Sequence, residues 1–319
     1  MIDNYGRNIN YMRISITDKC NLRCRYCMPK NVELTSMEEL LTYEEIVSVC
    51  RQAVSLGITK FKITGGEPLV RRNVDGLIAM IKENPGVEQV TLTTNGILLK
   101  DYAKKLKNAG LDGVNVSLDT MDAEKFQEIT GFEALDKVLE GIDAALQVGL
   151  SLKLNCVLTK DNADYEALIA YAEEKGIKIR FIEMMPIGYG KRQEGISNQW
   201  LLEQLEREYG TPEIFSGELG NGPAVYYRYE QKNVLIGFIS AIHGKFCNSC
   251  NRIRMTALGE LKPCLCFENT ISVKEPLRTG NLNEVRRRLE MAIGQKPYEH
   301  CFEELDKITE EKKMNQIGG

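Results

Sequence analysis

The sequence contains very little histidine, with His243 and His300 the two examples in 319 residues. This scarcity argues against histidine-rich metal sites and against most acid–base catalysis that depends on imidazole. The sequence also lacks an apolar run of 18 residues, so we expect no membrane span. Its N-terminus shows no basic segment followed by an apolar one, so we expect no secretory signal and a cytoplasmic location.

An excess of positive charge is missing as well. The formal net charge is −4 at pH 7, which argues against general nucleic-acid binding. Local groups of cations can still serve a small anionic ligand. The length fits one large domain or two modest ones, and 43% hydrophobic residues are enough for a sizeable core.

Cysteine, in contrast, is abundant, with ten residues in the chain. Without a secretory signal, this number favours metal or redox chemistry over a disulfide framework. Cys20, Cys24 and Cys27 have the spacing C-x3-C-x2-C on a loop that follows a predicted strand. Three thiolates can hold a [4Fe–4S] cluster and leave one iron open, whereas a structural zinc site is closed by a fourth ligand.

This spacing, with the aromatic Tyr26 just before the last cysteine, resembles the signature of the radical S-adenosylmethionine (SAM) superfamily. The resemblance implies a [4Fe–4S] cluster whose open iron binds the amino and carboxylate groups of SAM. It also implies that an electron from the cluster cleaves SAM to methionine and a 5′-deoxyadenosyl radical. The motif indicates the class of chemistry and leaves the substrate open.

Six predicted strands alternate with helical patterns up to residue 187, which indicates βαβ units and a parallel α/β sheet. We predict the strands at 12–17, 60–64, 87–93, 114–118, 152–158 and 177–182. We predict helices at 74–82, 102–109, 135–146 and 165–174, and another that begins at Thr42 with a capping box to Glu45. The cysteine loop and several glycine-rich or polar segments follow these strands, where α/β barrels carry their chemistry.

The strand order matches the incomplete (βα)6 TIM-like barrel that the radical SAM resemblance implies. We therefore predict a barrel domain over residues 1–187. Residues 188–319 are predicted to form a smaller C-terminal iron–sulfur domain that covers the open side of the barrel.

A second cysteine group lies in this C-terminal region, where Cys247, Cys250 and Cys264 are followed closely by Cys266. Four thiols fit a structural zinc site. The first three also fit a second iron–sulfur cluster, with Cys266 as a neighbour or as an alternative fourth ligand.

A basic pair, Arg252 and Arg254, follows Cys250 closely along the chain. Alternate residues of an extended segment share one face, so the two guanidiniums suit a triphosphate or another polyanion. Two solvated charges on a surface strand are the other interpretation.

Together with Gly-Gly-Glu-Pro at 65–68 and the ending Gln-Ile-Gly-Gly at 316–319, these motifs are similar to the GTP 3′,8-cyclase family, also called molybdenum-cofactor biosynthesis protein A. The resemblance extends from about Tyr11 to Gly319. It implies a lyase that uses SAM radical chemistry to convert GTP to (8S)-3′,8-cyclo-7,8-dihydroguanosine 5′-triphosphate. This reaction is the first step of molybdenum cofactor (molybdopterin) biosynthesis.

The family pattern assigns roles to matching positions of this chain. Cys20, Cys24 and Cys27 are implied to hold the SAM cluster, and Cys247, Cys250 and Cys264 a second [4Fe–4S] cluster that faces guanine. The positions that match SAM contacts are Tyr26, Gly66, Ser117 and Met185. The positions that match substrate contacts are Arg13, Lys62, Thr93, Lys153, Arg252, Ile253 and Arg254. The implied catalytic positions are Lys60, Arg180 and the terminal Gly318 and Gly319, a tail that enters the active site.

Two positions depart from the pattern. Lys62 stands where the family commonly has arginine, so the bidentate geometry toward phosphate is lost there. Cys266 stands next to the matched Cys264 and makes the identity of the ligand ambiguous.

The implied partners are GTP, an electron donor such as flavodoxin or ferredoxin, and the next enzyme of the molybdopterin pathway. We expect no nucleic acid and no membrane, and a monomer or a homodimer. Two alternative functions are a radical SAM peptide maturase with an auxiliary cluster and a non-catalytic zinc-binding scaffold.

Overall fold

The chain begins its barrel with six parallel strands in sequence order, each hydrogen-bonded to the next. The computed structural model describes residues 1–28, 32, 34–217 and 219–318. The strands are β1 (Tyr11–Ser15), β2 (Lys60–Thr64), β3 (Gln89–Thr94), β4 (Gly113–Ser117), β5 (Leu152–Val157) and β6 (Lys178–Ile182). The predicted strands are therefore confirmed, with their ends shifted by at most two residues.

Helices connect these strands and cover the outside of the sheet. They are α1 (Tyr43–Ser55), α2 (Val74–Lys82), α3 (Leu99–Asn108), α4 (Ala123–Thr130), α5 (Leu135–Gln147) and α6 (Tyr165–Glu174). The predicted capping box is present at α1, where the Thr42 hydroxyl accepts from the Glu45 amide and the Glu45 carboxylate accepts from the Thr42 amide. The sequence analysis did not predict α4, whose N-terminus is capped by Asp122.

The C-terminal third adds strands to both edges of this sheet. Its elements are α7 (Asn198–Tyr209), β7 (Glu213–Ile214), β8 (Val225–Arg228), β9 (Leu235–Ile239), β10 (Arg252–Met255), β11 (Glu260–Lys262), β12 (Ile271–Ser272), α8 (Lys274–Arg278), α9 (Leu282–Gly294) and α10 (Met314–Ile317). Strand β9 pairs parallel with β6, and β10 pairs parallel with β1. One sheet of order β12-β11-β10-β1-β2-β3-β4-β5-β6-β9-β8-β7 results.

Eight parallel strands thus form the centre of the sheet, and antiparallel strands end it on each side. We predicted a C-terminal domain that covers the open side of a six-stranded barrel. The C-terminal strands do more than cover it, because they continue the hydrogen bonding of the barrel across residue 187.

The alternation of side chains separates the core from the interior of the barrel. In β1, Met12 and Ile14 are fully buried and belong to the main hydrophobic core, whereas Tyr11 and Arg13 line an internal cavity. The same alternation in the other parallel strands lines the inner face with polar groups. Packing of the outer face against the helices fixes this orientation, since a shift of one residue would expose the apolar set.

A second, smaller core holds the end of the chain. It contains Ile187, Leu265, Cys266, Phe302, Ile308 and Ile317. These residues join the loop after β6, the segment after β11 and the C-terminal helix α10 into one contact region. In the described part of the chain, no helix is long and apolar enough to cross a membrane.

Candidate active site

A cavity of about 420 Å³ lies inside the barrel. This volume is in the range of pockets for small molecules and cofactors. Seventeen of the predicted site residues line it: Arg13, Cys20, Cys24, Tyr26, Cys27, Lys62, Gly66, Thr93, Ser117, Lys153, Arg180, Met185, Cys247, Cys250, Arg252, Arg254 and Cys264. Residues from both parts of the chain therefore meet in one space.

The first cysteine group lies on the loop that follows the carboxyl end of β1. The amides of Cys27 and Met28 both donate to the Cys24 carbonyl oxygen, at 2.9 and 2.8 Å, which folds the motif into a tight turn. Burial raises the pKa of the Cys20 thiol to about 11 and that of the Cys27 thiol to about 12. Burial also raises the pKa of Cys24. Thiolates at this place therefore need a bound cation for their stability.

The Gly65–Pro68 segment supports this loop from β2. The Gly66 amide donates to the Thr17 carbonyl oxygen at 2.6 Å, and the Glu67 amide donates to that of Lys19 at 2.8 Å. A Cβ atom on Gly66 would overlap these backbone atoms, with the Asp18 carbonyl oxygen at 2.7 Å. The second glycine of the motif is thus required by the close approach of two backbones.

Glu67 is fully buried below this segment. Its carboxylate accepts from the Thr94 hydroxyl and from the Asn95 amide, both at 2.7 Å. Burial raises the pKa of Glu67 to about 7, and these hydrogen bonds oppose that rise. Glu67 therefore fixes the loops after β2 and β3 relative to each other.

Tyr26 is oriented by a carboxylate that the sequence analysis did not identify. The Tyr26 hydroxyl donates to Asp119 Oδ2 at 2.5 Å, and the Val157 amide donates to Asp119 Oδ1 at 2.9 Å. Burial raises the pKa of Asp119 and that of Tyr26. Asp119 follows Ser117 at the carboxyl end of β4, so the two-residue alternation of that strand was the available signal.

The second cysteine group lies at the other end of the strands. Cys247 and Cys250 come immediately before β10, and β10 runs parallel to β1. The first group follows the carboxyl end of β1, whereas the second precedes the amino end of its neighbour. Because a five-residue strand is about 17 Å long, the cavity separates two groups of sulfur donors.

Lys296 hydrogen-bonds to both segments that carry the second cysteine group. Its buried Nζ donates to the Arg252 carbonyl oxygen at 2.7 Å, to the Pro263 carbonyl oxygen at 3.0 Å and to Cys250 Sγ at 3.6 Å. Burial raises the pKa of the Cys250 thiol, but the charges of Lys296, Arg252 and Arg7 and a hydrogen bond from the Arg252 amide together lower it more, so the pKa of Cys250 falls below its usual value. Neither spacing nor periodicity in the sequence marks Lys296 as part of the site.

A row of cations crosses the cavity between the two cysteine groups. Arg13 on β1 is in register with Arg254 on one side and with Lys62 on the other. Burial lowers the pKa of all three side chains, and the charges of neighbouring cations, Arg252 in each case, lower it further. A buried row of three cations favours a polyanionic ligand.

Lys153, Arg180 and Arg252 extend this positive surface. Burial, assisted by the charges of Arg180 and Lys178, lowers the pKa of Lys153 to about 8. Its ammonium donates to the Leu219 carbonyl oxygen, and Arg252 stacks on the Phe246 ring at 5.1 Å. As far as the structure describes the chain, no ion pair joins Lys62, Lys153, Arg180, Arg252 or Arg254 to a carboxylate.

The C-terminal tail reaches this row of cations. Arg254 Nη1 donates to the Gly318 carbonyl oxygen at 2.7 Å. Gly318 has a φ of 88°, and a Cβ atom there would lie 2.7 Å from Thr64 Oγ1 and 2.9 Å from Ser15 Cβ. A residue without a side chain is therefore needed at this position. Gly319 lies outside the described residues.

The tail also touches the first cysteine loop. The Asn315 side chain donates to the Asp18 carbonyl oxygen at 3.0 Å, and its backbone amide is hydrogen-bonded to the Cys27 thiol. The end of the chain therefore contacts the Cys27 side of the cavity through Asn315 and the cation row through Gly318.

Ile253 and Lys60 were also predicted as site residues, but neither lines the cavity. Ile253 is fully buried in the main hydrophobic core, because alternation turns it away from Arg252 and Arg254. A side-chain contact between Ile253 and a ligand in the cavity is therefore excluded. Lys60 begins β2 at its amino end, and its Nζ lies 4.0 Å from a carboxylate oxygen of Glu88.

The structure separates the two adjacent cysteines. Cys264 lines the cavity, whereas the Cys266 sulfur faces that of Cys301. In the part of the chain that the structure describes, no three His, Cys, Asp or Glu side chains converge closely enough for a single metal ion. What the two cysteine groups share is the cavity, with soft sulfur donors at both of its ends.

Comparisons with known proteins agree with this geometry. Residues 14–172 match the radical SAM superfamily, and residues 177–302 match the family described as Molybdenum Cofactor Synthesis C. A GTP 3′,8-cyclase of Clostridium perfringens is 43% identical over the whole of both chains. The chain belongs to the GTP 3′,8-cyclase family. Other members, from Moorella thermoacetica and Campylobacter jejuni, are 42% and 40% identical, again over the full length of both chains.

Solved structures of lower identity share the fold of this GTP 3′,8-cyclase family member. Streptococcus suis SuiB bound to S-adenosylmethionine is 18% identical with a TM-score of 0.65, over 84% of this chain and 64% of that one. SuiB bound to its precursor peptide SuiA gives a TM-score of 0.67 at 15% identity, over 98% of this chain and 77% of that one. This likeness confirms the α/β fold of a radical SAM enzyme with a partial barrel.

Membership in the family implies [4Fe–4S] clusters and SAM, and the residues present fit these groups. Each end of the cavity offers three cysteines and no complete set of four. Three soft thiolates leave one iron of a cubane cluster open to a ligand. Tyr26 and Ser117 line the cavity together with the first cysteine group, as the resemblance implied for SAM.

Proposed function

We propose that the chain is a lyase that converts GTP to (8S)-3′,8-cyclo-7,8-dihydroguanosine 5′-triphosphate, the first step of molybdenum cofactor biosynthesis. One observation carries this proposal. The cavity has three cysteines at each end and a row of buried cations between them, and the described residues give those on Lys62 and Arg254 no carboxylate partner. A triphosphate supplies the missing negative charge.

The cations of the chain bind and orient the substrate in this proposal. Arg254, Arg13 and Lys62 lie side by side on adjacent strands, so they can share one polyphosphate chain. Arg252 and Arg254 offer bidentate guanidiniums, and Lys62 offers a point charge. With the triphosphate held in the cation row, the purine end of the nucleotide extends toward the second cysteine group.

The first cysteine group lies at the opposite end of the cavity from the second. Cys20, Cys24 and Cys27 would hold a [4Fe–4S] cluster that, with SAM, supplies one-electron cleavage chemistry. Tyr26, fixed by Asp119, and Ser117 would position SAM beside it. The enclosed interior keeps water from the reacting carbon, and Arg254 holds the Gly318 carbonyl oxygen at the same place.

The roles of electron donor and downstream enzyme follow from the same reaction. The clusters need single electrons, so we propose a small electron carrier such as flavodoxin or ferredoxin as the donor. The cyclised nucleotide is proposed to pass to the next enzyme of the molybdopterin pathway.

The decisive experiment uses full-length protein that is reconstituted anaerobically with iron and sulfide. SAM, a reductant and each nucleoside triphosphate in turn are added, and 5′-deoxyadenosine and nucleotide products are measured. We expect about eight irons per chain and a cyclised product with GTP alone. Stoichiometric zinc without iron would instead support a scaffold, and SAM cleavage stimulated by a peptide and not by GTP would support a maturase.

Two variants separate the two halves of the proposal. Cys24→Ser is expected to abolish SAM cleavage and to leave GTP binding measurable, since the cation row is intact. Arg254→Ala is expected to weaken GTP use and to leave the iron of the first site in place. SAM cleavage at the normal rate by Cys24→Ser would disprove the assignment of the first cluster.

A further inference from the structure

Four cysteines remain after the two groups at the ends of the cavity. Cys50 and Cys156 are fully buried in the main hydrophobic core, apart from each other. Cys266 and Cys301 are different, because their sulfur atoms lie 3.3 Å apart. The Cys301 amide also donates to Cys266 Sγ at 3.4 Å, so the two residues are held together by a second contact.

The surroundings of this thiol pair allow one sulfur to react while the other is protected. Cys301 is partly exposed, whereas Cys266 is fully buried in the smaller core with Leu265 and Phe302. A disulfide bond needs a sulfur separation of about 2.05 Å, so each sulfur has to move by well under one ångström. A rotation of the partly exposed Cys301 side chain can supply most of this movement.

We propose that Cys266 and Cys301 form a reversible disulfide when a hydroperoxide oxidises the protein. The peroxide first oxidises the Cys301 sulfur to a sulfenic acid, and its own O–O bond breaks to release water or an alcohol. The Cys266 thiol then attacks the Cys301 sulfur, an S–S bond forms and the sulfenic oxygen leaves as water. Overall, two thiols lose two electrons and two protons, and the peroxide is reduced by the same two electrons.

The position of this pair gives the disulfide a structural effect. Cys266 is two residues after Cys264, and the amide of His300, next to Cys301, donates to Cys247 Sγ at 3.5 Å. A bond between Cys266 and Cys301 therefore ties the segment that carries Cys264 to the segment of His300, whose amide is hydrogen-bonded to Cys247. It closes a loop of some 35 residues, which restricts the conformations of the unfolded chain.

This effect leads to an expectation for damaged protein. When peroxide removes iron from the second cysteine group, the disulfide keeps its segments in place. Reduction and addition of iron and sulfide then restore the site faster than in a chain that cannot form the bond. The proposal concerns the thiol pair alone and does not depend on the identity of the substrate.

The test uses the reconstituted full-length protein, treated with substoichiometric hydrogen peroxide and then denatured in iodoacetamide. Chymotrypsin cleaves after Leu265 and so separates Cys264 from Cys266. We expect mass spectrometry to find a cross-linked peptide that joins Cys266 to Cys301, two hydrogens lighter than its reduced parts. Dithiothreitol should remove it, while Cys50 and Cys156 stay alkylatable as free thiols.

The test variant is Cys301→Ser, and Cys266→Ser takes its place if Cys301→Ser folds poorly. Cys50→Ser is the matched control. Cys301→Ser should lose the cross-link and recover iron severalfold more slowly after peroxide, whereas Cys50→Ser should match the parent. Two results would overturn the proposal. One is recovery of Cys301 as sulfinic acid with Cys266 still free, and the other is a Cys264–Cys266 bond in its place.

Discussion

Lys153 is a cation of the cavity whose charge is open to control by pH. Its pKa is lowered to about 8 by burial and by the charges of Arg180 and Lys178. Below pH 8 the ammonium is charged and attracts phosphate, and above pH 8 this attraction is lost. We expect GTP to bind about tenfold more weakly at pH 9 than at pH 7, which corresponds to about 1.4 kcal/mol.

Isothermal titration calorimetry of the unreduced protein without SAM can measure this change. Lys153→Arg is the matched control, since a guanidinium keeps its charge across this range. Its affinity should stay nearly constant between pH 7 and pH 9. A fall of equal size in both proteins would assign the pH dependence to another group.

The buried ion pair between Lys262 and Glu310 makes a second prediction about single residues. Both side chains are at most 1% exposed, and Lys262 Nζ also donates to the Phe267 carbonyl oxygen at 2.9 Å. Lys262→Met leaves a carboxylate buried without its cation, so we expect a loss of about 3–5 kcal/mol in the free energy of unfolding. Urea denaturation followed by circular dichroism measures it.

The double variant Lys262→Met with Glu310→Leu is the control for this pair. Removing both charges avoids the desolvated carboxylate, so most of the lost stability should return. If the double variant were as unstable as the single one, packing and not charge would explain the effect.

Single residues could be predicted well from the sequence where side chains alternate between the two faces of a strand. The two-residue alternation placed Arg252 and Arg254 on one face, and the structure confirms that both line the cavity. The same alternation sends Ile253 to the core, where the family pattern alone had suggested a substrate contact. Lys296 could not be predicted, because its contacts with Arg252 and Pro263 depend on how distant segments pack.

At the level of elements, the Gly65–Pro68 turn after β2 is the most constrained connection in the site. Gly66→Ala would push its new methyl group into the backbone of Asp18 and Lys19. We expect this change to displace the first cysteine loop, so that bound iron falls from about eight toward about four per chain after reconstitution. Iron and sulfide assays measure the loss.

Gly294 is the matched control for this turn. It ends α9, and a Cβ atom there would meet no heavy atom within 4 Å. Gly294→Ala should retain full iron content and gain up to about 1 kcal/mol of stability from the better helix propensity of alanine. Loss of iron in both variants would show that the assay reports general unfolding.

Most elements were predicted from local patterns because their signals are local. Short strand-like segments between helical patterns marked the six parallel strands, and the Thr42–Glu45 box marked the start of α1. The pairing of β9 with β6 and of β10 with β1 was not predicted. Both pairings depend on which edges of the six-stranded sheet are open. The sequence of a strand does not show which distant edge it will pair with.

For the whole molecule, the sheet continues across the predicted domain boundary at residue 187, so we expect the two parts to depend on each other for folding. A fragment of residues 1–187 would lack β10, which pairs with β1, and β9, which pairs with β6. Parallel strands with open edges are prone to pair with other chains. We expect this fragment alone to aggregate and to lack a cooperative unfolding transition.

Co-expression with residues 188–319 is the control for the fragment. The second piece supplies β9 and β10, so the two pieces together should form a soluble complex in size-exclusion chromatography. A sharp thermal transition of the 1–187 fragment on its own would show that the barrel domain folds independently.

The pairing of β1 with β10 can form only late in synthesis, because β10 is made long after β1. Asn10 and Asn251 hydrogen-bond at the start of these two strands, although 241 residues separate them. At a translation rate of roughly 5–20 residues per second, β1 leaves the ribosome on the order of ten to fifty seconds before its partner. The first cysteine loop is therefore made long before the wall that will enclose it, and iron can reach it from the solvent throughout that interval.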